Sequence, residues 1–440
     1  TFNSNTTGMF QTAVGSSAGQ SITSGSHNVA VGHAALSNAT TVGYNTALGT
    51  AAIRNSLGGN NVGVGPDACK GASGGTSTGS NNIGIGRDSL KSFTTGYQNT
   101  AIGVYALDAN TTGYVNTAIG PYALTANTTA IYGVAVGNSA LFNNTTGSNN
   151  VAVGVQALRQ NSTGINNVGV GTNALYNNTS SYNSAFGTNA LYANTSGTNN
   201  VAIGNEALKN NTTGGQNTVV GGYALDANTT SSDHTAIGYN ALANNTTGQQ
   251  NTAIGRDALN QNTTGSSNVA VGRQTMFGNV SGSSNTAIGI FSMNSLTGSQ
   301  NTAVGRGTLG GQCTSDNNTA VGYVALLSNT SGHSNTGLGA YALDDNTTGS
   351  HNTAVGRDAL KGNTTANNNT AVGHESLENN TTGYSLTGLG RHALRGNTTG
   401  HSNTAIGYES MLDNTTGIQN TAMGFQALRS STGSYQTAVG

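Results

Sequence analysis

The sequence predicts an all-β fold, a parallel β-solenoid of the β-roll or β-helix kind wound from 17-residue coils. Three observations lead there. A 17-residue motif recurs along the chain, as in NTAIGRDALNQNTTGSS at 251–267 followed by NVAVGRQTMFGNVSGSS at 268–284. Glycine supplies 66 of 440 residues, charged residues 7% and aromatics 5%, with no Trp and two Pro, a composition unlike that of a conventional globular core. The period is too short for a helical repeat, which needs roughly 33 residues, and suits one turn of a solenoid.

With the Asn of NTAIG as position 1, copies begin at Gln11, Asn28, Asn45, Asn61 and Asn82 and run to Asn420 and Gln436, 26 in all. Spacing is 17 except for four intervals of 16 and one of 21. The long interval carries GASGGTSTG at 71–79, read as a surface loop on one coil of a single array spanning 1–440. Positions 1–4, NTAI or NVAV, form a short strand of β-branched and small residues. Position 5 is Gly throughout, as in Gly255 and Gly272, and serves a positive φ or a close backbone approach. Positions 6–11, as in RDALNQ, read either as extended or irregular chain or as one helical or 3₁₀ turn, with the former preferred. The run NTTG closes the coil with turn chemistry.

Size separates the positions further. Position 4 is large and apolar, as in Ile254 and Val355, and position 9 is nearly always Leu or Met, so these two are the expected core. Position 3 is Ala or Gly except Val219; because side chains alternate along a strand, Ala253 is expected on the outer face. Of the 29 charged side chains (14 basic, 15 acidic), all but Asp233 and Asp316 fall at positions 6, 7, 10 or 11. One edge is therefore solvated, and an uncharged face at positions 1–5 invites contact with further copies of the chain. Stacking at about 4.8 Å per coil predicts an elongated rod on the order of 120 Å.

Charge also limits function. A net charge of -1 offers no broad attraction to nucleic acid or anionic lipid. There is no apolar run of about 18 residues, so membrane insertion of this segment is not expected. The opening TFNSNTTGMF has neither the basic nor the apolar part of a signal peptide and no initiator Met, which reads as a processed product or fragment. Cys69 and Cys313 lack the spacing of a disulfide framework or zinc site, and Cys69, in a position-9 slot, reads as a small buried hydrophobe. Scattered histidines such as His333, His351, His374 and His401 have no i, i+4 partner or carboxylate cluster, and GVGPDACKG at 63–71 is wrongly spaced for a phosphate loop. No catalytic, cofactor or metal residues are therefore assigned, and the chain is not read as an enzyme.

Two weaker surface readings remain. N-x-[ST] acceptors recur at position 12, at Asn110, Asn127, Asn144, Asn211, Asn245, Asn262, Asn346, Asn363, Asn380, Asn397 and Asn414 among others. Glycosylation there would sheathe the array, although turn hydrogen bonding by the same Asn is preferred. Tyr223, Tyr239, Tyr323, Tyr341 and Tyr408, at positions 6 and 7, are candidates for stacking on surface glycans.

Repeats such as NTAVGRDALKGNTTANN at 352–368 resemble those of bacterial surface proteins and phage tail fibres carrying NTAIGxxALxxNTTG arrays. They are more loosely similar to the head repeats of trimeric autotransporter adhesins. The resemblance covers essentially the whole chain and implies a β-solenoid, usually a homotrimer, outside the cell or on a virion, acting as a fibre, filament or attachment shaft. Coiled-coil stalk, barrel anchor and terminal chaperone domain, present in complete members, are missing from this sequence. An ice-binding solenoid is the alternative, because Thr252 and its equivalents stack. Against it, position 4 is Ile or Val and not Thr. A glycan-cleaving tailspike would need an acidic groove that breaks the repeat.

Overall fold

The structure, a computed structural model, describes residues 4–74 and 77–440. Two compact units divide the chain, Thr1–Asn217 and Thr218–Gly440. Each is a parallel β-solenoid, and among the described residues there is no helix. The first unit contains strands β1 (Thr12–Val14) through β12 (Val201–Ile203), the second β13 (Thr218–Val220) through β26 (Thr437–Val439). Every strand is three residues long, at positions 2–4, and within each unit successive strands pair in parallel at the same positions, as Thr235↔Thr252, Ala236↔Ala253 and Ile237↔Ile254.

The alternation along the strand is as expected, but its sense is reversed. Ala253 is fully buried, and Ile254 is 36% exposed on the outside with Thr252. Position 4 is thus not core, and the alanines do not form an outer face. The reason is room. At Gly169, which stands in a position-3 slot, an added Cβ would lie 3.3 Å from Leu158 Cγ and 3.3 Å from the Ala174 carbonyl oxygen. The position-9 Leu of the preceding coil thus fills the centre and leaves little space beyond a methyl group, with Val219 the larger exception. Leu259 and its equivalents from Leu36 to Met411 are buried as predicted, with Ala258 beside Leu259, while Leu428 in the terminal coils is only partly so.

Positions 6–11 are neither strand nor helix but consecutive turns. Asp257 and Leu259 have φ of 56° and 51°, and the same left-handed pair recurs at positions 7 and 9 of nearly every coil. This path turns the N–H groups toward neighbouring coils. Asp257 N donates to Tyr239 O at 3.0 Å and Leu259 N to Thr275 O at 3.0 Å, so the backbone ladder continues around the coil. A helical turn would satisfy those donors locally and leave the stack without them. Left-handed φ also explains why Leu and Met dominate position 9: a β-branched side chain is poorly tolerated there, and Ile53 is a rare case.

Two ladders of buried amides line the interior. At position 1, Asn251 Oδ1 accepts the Asn268 N–H at 3.0 Å while Asn251 Nδ2 donates to Gly265 O at 2.8 Å. At position 12, Asn262 Nδ2 donates to Gly265 O at 3.0 Å, closing its own turn, and to Asn245 Oδ1 at 2.8 Å in the coil before. Gly265 is required by close approach, since a Cβ would sit 2.3 Å from Gly282 O and 2.4 Å from Asn262 Oδ1. The ladder shows where it ends: Asn279 Oδ1 and Asn414 Oδ1 are buried without a donor, and the next coils offer Leu296 and Ser431 in that slot. Cys313, buried, accepts from Asn329 Nδ2 at 3.3 Å. Burial pushes the Cys69 thiol up to about 12, in keeping with an inert filler of its position-9 slot.

Part of the loop expected at 71–79, residues 75–76, lies outside the described residues. The excursion is narrower than expected. Ser77 is buried, bridges to Ser56, and donates its hydroxyl to Phe93 O at 2.7 Å, so the chain has rejoined the coil by that point.

Candidate functional site

Within each unit the coil presents two distinct outer surfaces. The first is the strand face, two columns formed by positions 2 and 4 with no charged residue in either. In the second unit, Val269 alone among the fourteen strands replaces Thr at position 2, and position 4 is always apolar, as in Ile237, Ile288, Leu338 and Met423. These last four are 37%, 43%, 46% and 46% exposed. The position-2 side chains are half-exposed in most strands. By contrast the position-13 hydroxyls are used internally, as in Thr263 Oγ1 donating to Val280 O at 3.1 Å.

The second surface is the turn edge at positions 6, 7, 10 and 11, where the charges gather as the sequence indicated. Many neutralise one another within a coil: Lys209 meets Glu206 at 3.0 Å, and Asp358 takes Arg357 at 3.0 Å and Lys361 at 3.6 Å. Exposed pairs of this kind contribute little to stability, and their effect is to leave the edge without a strong field. Tyrosines on this edge stack with their own column. Tyr223 and Tyr239 meet edge-on with centroids 5.9 Å apart, as do Tyr323 and Tyr341 at 5.4 Å, while Tyr408 stacks on Phe425 at 5.3 Å. Arg306 lies over Tyr323, Lys361 over Tyr341 and Arg391 over Tyr408, so part of each ring is already covered. Tyr239 is the most open of the five, 51% exposed.

The position-12 acceptors are differently placed. Asn110, Asn127, Asn144, Asn211, Asn245, Asn262, Asn346, Asn363, Asn380, Asn397 and Asn414 are all buried, in the amide ladder described above. Their amide nitrogens donate to the carbonyl three residues on, as Asn346 Nδ2 does to Gly349 O at 3.0 Å. A sugar on that nitrogen would have to leave the interior, so the folded chain favours the hydrogen-bonding reading.

One histidine is interior. His234 stands at position 1, where its Nδ1 accepts the Asn251 N–H at 3.2 Å, the contact that an Asn Oδ1 makes elsewhere. Burial pulls the imidazole down to about 4 from the ordinary 6.5. A base held below its unfolded value favours the fold while neutral. Its contribution is therefore complete above about pH 6.5 and is lost as pH falls toward about 4, by roughly 3 kcal/mol. His234→Asn is expected to remove this loss. Urea unfolding of the two proteins at pH 7 and pH 4.5 should give a gap that widens in the acid, and equal gaps at both pH values would contradict it.

Histidines also meet carboxylates on the turn edge, a cluster that helical spacing does not reveal. His374, Glu375 and His392 bring ligand atoms within 4.8 Å of one another. The signal is present in the period: Glu375, His392 and Glu409 are successive position-7 residues 17 apart, and His374 precedes Glu375. His392 Nε2 lies 3.1 Å from Glu375 Oε2, and His374 Nδ1 lies 3.5 Å from Glu375 Oε1. Among the described residues no helix is long and apolar enough to cross a membrane. No known protein-family model matches the chain, and no curated protein is significantly similar to it.

Proposed function

We propose that the protein is a structural fibre element that works by shape and contact rather than by catalysis, with copies associating side by side through the strand face. The observation that supports this most is the column of outward Ile, Val, Leu and Met at position 4, flanked by an uncharged column and separated from the ionic edge. Apolar surface repeated in this way is disfavoured in water and is removed by packing against a like surface. A second copy supplies that surface with the same repeat. A homotrimer, an extracellular position on a cell or virion, and a role as adhesin, tail-fibre shaft or filament follow from the resemblance of the repeats and are part of this proposal. Contact with surface glycans would fall to the turn edge, with Tyr239 its most open ring.

Light scattering after size exclusion is expected to show an oligomer at micromolar concentration. Substituting Ile237, Ile254, Val271 and Ile288 together by Lys is expected to yield monomers with an unchanged circular dichroism spectrum. A monomeric wild-type protein would refute lateral association.

The threonine column favours a second reading, an ice-binding face. Position-2 Thr side chains point outward at regular strand spacing in the second unit, beside apolar position 4. Thermal hysteresis in the monomeric form, abolished by replacing Thr235, Thr252 and Thr286 with Lys, would support it over self-association.

A further inference from the structure

We propose that His374, Glu375 and His392 form a site for a divalent transition-metal ion that ties the coil at 369–385 to the coil at 386–402. Three arguments converge. The donor set is two imidazoles and one carboxylate, the combination that binds zinc and its neighbours with positions left for water. The three ligand atoms already lie within 4.8 Å of one another, so closure onto bonds of about 2.0–2.2 Å requires only rotamer adjustment on the surface. Finally, His374 Nδ1 is shielded from solvent and has no hydrogen-bond partner, although it lies on the side of the ring that approaches Glu375. A metal ion satisfies that nitrogen.

The surroundings define the competitors. Arg395 Nε lies 3.1 Å from Glu375 Oε2 and 2.7 Å from Glu378 Oε2. When a metal takes Glu375, the guanidinium keeps its shorter bond to Glu378. Glu409 Oε1 is 3.8 Å from His392 Nδ1, beyond hydrogen-bond reach, and its Oε2 accepts from Gln426 Nε2 at 2.8 Å and Arg429 Nε at 2.9 Å. Glu409 therefore does not compete for the site, and His392 turns Nε2 toward Glu375, 3.1 Å from Oε2. The inner amide ladder is intact between these two coils, where Asn369 Oδ1 accepts the Leu386 N–H at 2.9 Å, and is interrupted only at the following junction, because the Leu386 side chain offers no acceptor to the coil that begins at Asn403.

Calorimetric titration of the metal-free full chain with Zn²⁺ alone at pH 7.5 is the test. The expected result is one ion per chain with micromolar affinity. His374→Gln and His392→Gln should each weaken binding at least tenfold, and Glu375→Gln severalfold. Arg395→Gln, which removes the competing cation, should tighten it. His351→Asn, in the separate His333–His351 ring pair, should leave it unchanged. Circular dichroism confirms the fold of each variant. Absence of saturable binding, or binding that survives both position-374 and position-392 substitutions, overturns the assignment.

Discussion

Replacing Gly255 with alanine is expected to destabilise the stack severely, although the change adds a single methyl group. Gly255 has φ of 132°, a region closed to other residues, and its added Cβ would stand 2.5 Å from Gly272 O and 2.6 Å from Gly272 C. Strain of this kind alone costs roughly 1–3 kcal/mol. The clash adds to it because the obstructing atoms belong to the backbone of the next coil and cannot rotate away. Relief requires adjacent coils to separate, which breaks ladder bonds such as Gly272 N to Ile254 O and Thr252 N to Asn268 O. In a stack stabilised by nearest-neighbour contacts, such a lesion is expected to divide one unfolding transition into two. Denaturant melts followed by circular dichroism, with hydrogen exchange to locate the early opening at residues 251–272, check this. Gly362→Ala is the control: its φ is not left-handed, the nearest atom to an added Cβ is at 3.0 Å, and other coils carry Ala109 or Gln261 in that slot. It should change stability by less than about 0.5 kcal/mol.

The second large effect separates the inner from the outer apolar residue of one coil. Leu259→Ala empties the centre of a coil whose other inward groups are two alanine methyls and two amides, and it should cost about 2–5 kcal/mol. Ile254→Ala, five residues earlier, removes a side chain already 36% exposed and should barely move the unfolding midpoint of the isolated chain. Its effect belongs to association, and it should appear as a weaker oligomer in sedimentation. Equal destabilisation by the two substitutions would mean that position 4 is core after all.

Much of the architecture could be read from the period. A strand within positions 1–4, the glycine at position 5, the buried position 9, the charged edge and the turn at NTTG all follow from residue type repeated in register. Other features were not legible, for identifiable reasons. Alternation fixes that Ala253 and Ile254 face opposite ways but not which way is in, and side-chain size points the wrong way. The inner space, already filled by Leu158 and its equivalents, leaves little room beyond a methyl, with Val219 the larger exception. Left-handed residues at positions 7 and 9 have no glycine to mark them, since stacking bonds hold Asp257 and Leu259 there. The amide ladders look like surface acceptor motifs because Asn serves both purposes. The His374–Glu375–His392 cluster is invisible at helical spacing, whereas the solenoid makes neighbours of residues 17 apart.

The register of the strands has a consequence for how such a chain changes length. Short coils keep their pairing, as Thr46↔Val62 and Val168↔Ser184 show, and the extra residues of the long coil leave Val62↔Ile83 intact. Gain or loss of residues is absorbed after position 11. Excising or duplicating a whole period therefore leaves each remaining group with an equivalent partner, so the array can be cut or extended in quantised steps without redesigning any junction.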